Sequence, residues 1–376
     1  MNRIAIDLVP IRPGKGGTGS GIWTYARELV GQLNRMEHDA GIELYVLLQR
    51  DQVKYLEPFE RVHPVVFPNI AGTILGRLLW VHGVLPLWCL IWRMDGLHKL
   101  ATETPLFCSA RRITTVHDFF YEFMAEHGAR QAGLAARYFT WITRVAFRKS
   151  RSIITVSHAV EEEAQRRYPS TRATIRAVHN GVASPGDASE RSDAAARPFT
   201  ILYIAKLMSF KGQLEALRAF ERLADTGARL VYHGFENDTD FVQQLDARIR
   251  ESSCRDRITR TPYRPDATLA QLYAGADAVL FLSAYEGFGL PVVEAQAHGI
   301  PVVCSDIPVL REVGGAGALY VDRANPEAVA EALAAVMRDP ARRDKLVRAG
   351  RGNASRFSWG ETARQTLAVY EEKDEG

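Results

Sequence analysis

Apolar and polar positions alternate along this chain in blocks of two kinds. Short apolar runs fall at Ile4–Val9, Leu44–Leu48, Ile113–Val116, Ile153–Val156, Ile201–Ala205, Leu230–Tyr232, Ala278–Leu282 and Val302–Cys304. Longer stretches of helical period lie between most of them. In the first, Ile22, Tyr25, Leu29, Leu33 and Met36 share one stripe and predict a helix facing a core. Short buried strands separated by amphipathic helices predict βαβ units on parallel sheets, an α/β chain. The pattern breaks at 183–198, a polar, aperiodic segment that reads as a linker between two doubly wound domains, 1–182 and 199–357. Ser358-Trp-Gly-Glu361 is a capping-box pattern that opens a last helix, 358–376.

Composition adds one asymmetry. Residues 1–182 hold 23 Lys+Arg and 16 Asp+Glu, a net of +7, whereas the remainder holds 24 and 28, a net of −4. The basic half suits an anionic partner such as a lipid surface or a phosphorylated acceptor. Cys89, Cys108, Cys254 and Cys304 show no C-x-x-C spacing and read as reduced core residues of a cytosolic protein. The chain opens on a strand rather than a leader. Leu78–Trp92, 15 residues without a formal charge but containing Pro86, reads as too short for a membrane span.

Chemistry concentrates at 283–301. A buried strand feeds a glycine-bearing turn, Pro291 opens a short helix, and Gly299 closes it. Such a loop presents amides at a helix N-terminus, where an anion binds. Glu286 and Glu294 bracket that loop. Carboxylates repel phosphate, so their expected partners are hydroxyls on either side of it. A diphosphate between hydroxyl-rich groups is a nucleotide sugar. Lys206 and Lys211 follow the strand Ile201–Ala205 and are placed to close on the diphosphate from two sides. A unit charge at ~4 Å contributes up to about 4 kcal/mol at an effective dielectric of ~20, against roughly 0.3–1 for a helix terminus. The lysines are therefore expected to dominate leaving-group stabilisation, with the 287–290 amides secondary.

Gly14, Gly16 and Gly19 match a dinucleotide fingerprint, but Pro10-Ile-Arg-Pro13 separates them from the strand, which argues against NAD. Gly19 and Gly21 read instead as a loop closing over the diphosphate and acceptor. Asp238-Thr-Asp240 spells a metal motif at the start of a helix, where carboxylates serve as caps, and no metal is expected. Arginines at 130, 137, 144 and 151 recur every seventh residue among Tyr138, Phe139, Trp141 and Phe147. This is either a basic helix lying on an anionic bilayer, peripheral to the inner face of the cytoplasmic membrane, or a solvated stripe. No nucleic-acid recognition fold is evident.

The string Glu286-Gly-Phe-Gly-Leu-Pro-Val-Val-Glu294, in its strand–turn–helix setting, resembles the E-x7-E signature of family-4 retaining glycosyltransferases of the two-domain GT-B fold. That resemblance implies two facing Rossmann-like domains with a cleft between them and a last helix crossing back to the first domain. It implies that Glu294 accepts the ribose hydroxyls, that Glu286, Phe288, Gly289 and His117 surround the sugar, and that Asp118 joins them. Gly287 and Leu290 complete the loop, and the base is expected near Gly234 and Tyr263. His117 and Asp118 follow the strand Ile113–Val116, and on residues alone His117 is a structural histidine as readily as a ligand. The family's usual Gly-Arg reads Ala205-Lys206 here, and Trp23 stands where relatives often carry glycine. Residues 307–314 and the His117-Asp118 pair look most like bacterial mannosyl- or rhamnosyltransferases of surface polysaccharide and O-antigen synthesis. A GDP-sugar donor with a saccharide or lipid-linked acceptor is the expectation, and a UDP-sugar the alternative. A sugar-nucleotide epimerase or a phosphorylase of the same fold stays open.

Overall fold

In the computed structural model the chain is described over residues 2–12, 21–37, 41–127, 134–183, 197–236, 238–262 and 267–372. It forms two compact units, Met1–Gly181 with Trp359–Gly376, and Val182–Ser358.

The first unit holds β1 (Asn2–Asp7), β2 (Ile42–Gln49), β3 (His63–Phe67), β4 (Gly96–Lys99), β5 (Arg111–Val116), β6 (Ser152–Thr155) and β7 (Thr174–Ala177). They lie in the order β3-β2-β1-β4-β5-β6-β7, and every pairing is parallel. The helix Gly21–Arg35 lays Tyr25, Leu29 and Leu33 on one face of this sheet, the stripe its spacing predicts. The terminal helix Trp359–Glu371 packs Ala363, Leu367 and Tyr370 into the same core. There the Tyr370 carbonyl accepts from Asn2 Nδ2 at 2.8 Å, fastening the end of the chain to β1.

The other face is covered by a helix whose extent corrects the sequence-based expectation. It runs over 18 residues, Ile74–Ile91, and by length and composition it is the one helix among the described residues that could cross a membrane. Thr73 caps it, accepting from the Gly76 N–H at 3.1 Å. A wider turn at Trp80–Val84, where the Leu85 N–H reaches the Trp80 carbonyl, carries the chain past Pro86 unbroken. Trp80, Val81, Leu85 and Cys89 are buried against Ala5, Leu47 and Leu97 of the sheet.

The arginine stripe also changes. The helix is Leu134–Lys149 and Arg151 lies beyond it, its N–H bonded to the Arg112 carbonyl at 2.8 Å as the chain enters β6. Arg130 falls outside the described residues. Phe147 is buried, while Arg137, Trp141, Arg144, Arg148 and Lys149 are exposed.

The second unit holds β8 (Thr200–Ile204), β9 (Arg229–Gly234), β10 (Ile258–Pro262), β11 (Ala278–Phe281), β12 (Val302–Ser305) and β13 (Ala318–Val321). The order is β10-β9-β8-β11-β12-β13, again all parallel. In each sheet the strand order reverses once, between β1 and β4 and between β8 and β11. In open parallel sheets the loops leaving such a switch point diverge to opposite faces, and the crevice between them is where ligands bind.

Candidate active site

Both loops leaving the β8/β11 switch point carry chemistry-bearing residues singled out from the sequence, and the structure joins them. Lys211 ends a short turn, Ser209–Lys211, after β8, and Glu286 follows β11. Their side chains meet: Lys211 Nζ donates to Glu286 Oε1 at 2.6 Å, with 15% and 13% of the side chains exposed. The backbones are tied as well. Tyr203, buried on β8, donates its hydroxyl to the Lys211 carbonyl and accepts from the Leu282 N–H at 2.9 Å. The Ala284 N–H donates to the Phe210 carbonyl at 2.8 Å. Two loops 75 residues apart in sequence thus form one rigid lip. Arg323 adds to it, donating to the Leu282 carbonyl at 3.1 Å. Lys206 stands just past β8, partly exposed, its carbonyl fixed by Gln213 Nε2 at 2.8 Å.

The helix Leu290–Ala297 starts as its sequence predicts. Gly289 is its N-cap at φ +94°, and a Cβ there would come within 2.6 Å of Leu310 Cδ2, so this turn demands glycine twice over. No side chain caps this N-terminus; the Gly289 carbonyl accepts from the Val292 N–H at 3.0 Å, and Pro291 has no N–H. Phe288 is buried with its ring 5.6 Å from that of Phe357, so what this residue can offer a ligand is main chain. Gly287 is buried beside it. Gly299 takes φ +68° just past the helix, the C-terminal stop that the sequence predicts. A buried amide network holds the helix from behind: Gln296 Nε2 donates to the Gly314 carbonyl at 2.7 Å and Gln296 Oε1 accepts from Asn353 Nδ2 at 2.7 Å.

Glu294 lies one turn into this helix and meets a residue that sequence reasoning missed. The Tyr273 hydroxyl donates to Glu294 Oε2 at 2.7 Å, and the Tyr273 ring stacks on His298 at 4.7 Å. Desolvation raises the Glu294 carboxyl above its ordinary range, and the bond from Tyr273 opposes that rise. Tyr273 sits 21 residues upstream in the helix Ala267–Ala274, and no motif in the sequence announces it. Gly234 ends β9 with its Cα against the Ala205 carbonyl, where any side chain would collide. Its part is to let two strands approach. Tyr263 and Gly19 lie outside the described residues. Asp238 of the acidic D-x-D triplet caps the helix Thr239–Glu251, accepting from the Phe241 N–H at 3.1 Å.

His117, Asp118 and Gly21 belong to the first unit. His117 follows β5 and its Nε2 lies 2.9 Å from the Leu100 carbonyl at the end of β4. A carbonyl only accepts, so Nε2 carries the proton and Nδ1 keeps its lone pair. Burial lowers the imidazole to about 4, so the ring is neutral at physiological pH, and it packs edge-on to Tyr25 at 4.9 Å. His98 lies beneath, between the Tyr370 hydroxyl at 2.6 Å and Thr115 Oγ1 at 2.8 Å, and burial lowers it to about 3. Asp118 is exposed and accepts from the Phe120 N–H at 3.1 Å, two residues on, just ahead of the helix Phe120–Glu126. Gly21 opens the helix Gly21–Arg35, and a Cβ there would meet no atom of the described residues within 4 Å. Sequence reasoning also missed an ion pair at this unit's own switch point: Lys99, ending β4, donates to Asp7, ending β1. Trp80 Nε1 donates to Asp7 Oδ1 at 3.1 Å as well.

Residues 19–184 match the family model described as Glycosyltransferase Family 4, and residues 187–353 the one described as Glycosyl transferases group 1. Among curated proteins, the O-antigen chain mannosyltransferase B of Escherichia coli is 29% identical over 276 residues, 69% of this chain and 70% of that protein. The O-antigen chain mannosyltransferase RfbU of Salmonella typhimurium is 24% identical over 82% of this chain and 84% of its own length. Among solved structures, sucrose-phosphate synthase from Thermosynechococcus elongatus superposes with a TM-score of 0.79 at 19% identity, covering 98% of both chains. Anabaena HepE in complex with UDP-glucose superposes with a TM-score of 0.73 at 18% identity, also over 98% of both.

Proposed function

Because the chain belongs to the group 1 glycosyltransferases and has the GT-B fold, we propose that it moves a hexosyl group from a nucleotide sugar to a saccharide or lipid-linked saccharide in O-antigen or related polysaccharide synthesis. The donor we favour is a GDP-sugar carrying mannose or rhamnose, in keeping with two relatives named as O-antigen mannosyltransferases. The observation that carries the reading is the Lys211–Glu286 pair at a sheet switch point beside a glycine-capped helix start.

In this mechanism Lys211 and Lys206 take the departing diphosphate, and the 287–290 amides assist. Glu286 accepts from sugar hydroxyls while its hydrogen bond keeps Lys211 aimed. Glu294, held by Tyr273, accepts from the ribose. A hydroxyl donor there replaces part of the solvation whose loss raises the Glu294 pKa. His117, neutral with Nδ1 as an acceptor, positions a sugar hydroxyl and supplies no positive charge. The transfer retains anomeric configuration, and the leaving phosphate takes the acceptor's proton. Two lysines neutralise the diphosphate, so no metal is required.

A thermal-shift panel of GDP, UDP, ADP and their sugars, with and without EDTA, tests this. GDP and a GDP-hexose should raise the melting temperature whether or not EDTA is present. A response confined to UDP-sugars replaces the donor, and a response that EDTA abolishes replaces the metal-free mechanism.

A further inference from the structure

The helix Ile74–Ile91 has two apolar faces, and the sheet uses one of them. Val81, Leu85 and Cys89, four residues apart, are buried. Leu75, Leu79, Gly83, Leu87 and Ile91, also four apart, point outward and are exposed, Leu75 to 76%. Ile74 and Leu90 broaden that row, and Trp92, stacked on Trp88 at 6.0 Å, closes its end. A contiguous apolar surface of this kind on a folded unit marks an interaction site.

Charge identifies the occupant. No Asp or Glu occurs between Glu60 and Asp95, a span of 34 residues (61–94) whose only charges are Arg61, Arg77 and Arg93. The basic helix Leu134–Lys149 adjoins this surface. The Tyr138 hydroxyl lies 3.2 Å from His82 Nε2, and the Arg77 guanidinium lies over the Phe139 ring at 5.7 Å. Its outward row is Arg137, Trp141, Arg144 and Arg148. An apolar strip without carboxylates, ended by tryptophan and bordered by arginines, complements the interface of an anionic bilayer.

We propose that the first unit docks on anionic membrane by laying the outer face of Ile74–Trp92 in the plane of the headgroup–acyl boundary, with Arg137, Arg144 and Arg148 among the phosphates. The helix lies on the bilayer rather than across it, since crossing would strip Trp80, Val81, Leu85 and Cys89 from the sheet core. The proposal is independent of donor chemistry. It gives the basic stretch an apolar partner, the run whose charge-free length alone reads as too short for a membrane span.

The test is cosedimentation of the full chain with vesicles of phosphatidylcholine alone or with 30% phosphatidylglycerol. Binding should require the anionic lipid and fall at least tenfold in Leu79→Glu/Leu87→Glu, both exposed positions. Arg137→Gln/Arg144→Gln should bind several-fold more weakly and lose its sensitivity to salt. The GDP-induced thermal shift should persist in both variants, which separates failed docking from failed donor binding or misfolding. Brominated lipid should quench tryptophan fluorescence in the wild type. Equal binding by wild type and Leu79→Glu/Leu87→Glu would overturn the proposal. So would resistance to alkaline carbonate extraction, which means a span, or a lipid-free dimer that the glutamates dissociate without any vesicle binding.

Discussion

Each sheet has a lysine–carboxylate pair at its switch point, on the strand ends in the first unit and on the following loops in the second, and the two pairs do different work. Lys99 and Asp7 are 2% and 0% exposed, tied further by Trp80. Lys211 and Glu286 keep 15% and 13% exposure on a lip of two loops. The first pair is sealed: desolvated charges hold one another and nothing else can reach them. The second stays accessible to a ligand's charges and hydroxyls. Like chemistry at the switch points of two Rossmann-like units thus becomes scaffold in one and candidate machinery in the other, and exposure separates them.

Breaking the sealed pair should have the largest effect. Asp7→Asn leaves Lys99 buried without its counter-charge and should cost about 3–5 kcal/mol of stability in urea denaturation. If it costs under about 1, the seal is not what separates the pairs. Breaking the open pair should spare the fold and remove the chemistry. Lys211→Ala should lower kcat/KM by roughly 10²–10³, about 2.7–4 kcal/mol of transition-state stabilisation, with only a small drop in melting temperature because a partly exposed pair contributes little. A large stability loss with near-normal turnover would reverse the two roles.

The next effect belongs to two histidines of the first unit, buried His98 and half-buried His117. His98 and His117 titrate near 3 and 4 in the fold, below the unfolded value of about 6.5. Between those limits the unfolded chain binds the extra protons. Stability should therefore fall as pH drops from about 6.5 toward 4, by at most about 1.4 kcal/mol per pH unit for each histidine. His117→Gln should flatten that decline by one proton's share in melting curves between pH 7 and 5. The smallest effect is at the second unit's rear: Tyr273→Phe should raise KM for the donor roughly fivefold, about 1 kcal/mol, and leave kcat nearly unchanged.

The central strands were legible and the edges were not, for a physical reason. β1, β2, β5, β6, β8, β9, β11 and β12 correspond to apolar runs in the sequence, because helices cover both faces of a parallel sheet's interior. The four edge strands, β3, β7, β10 and β13, escape that reading. His63–Phe67 and Thr174–Ala177 carry exposed polar residues, Ile258–Pro262 is mostly threonine and arginine, and Ala318–Val321 leaves Leu319 and Tyr320 only half-buried. β4 escapes too, since Gly-Leu-His-Lys spends its polar side chains on buried bonds to Tyr370, Thr115 and Asp7. In the site, Lys211, Glu286 and Gly289 were legible because they lie on two short loops, and Glu294 because it follows Glu286 at fixed spacing on the next helix. Tyr273, Asp7 and Lys99 were not, because folding alone brings distant segments together. The Ile74–Ile91 helix was only partly legible, because its charge-free run is shorter than the helix itself.

Titration calorimetry of GDP into the wild type and into Lys211→Ala decides most directly whether the open pair is a diphosphate site. Binding heat in the wild type, with affinity at least tenfold weaker in the variant, is the expected result. No heat with GDP or UDP in the wild type, or equal affinity in both proteins, would contradict it.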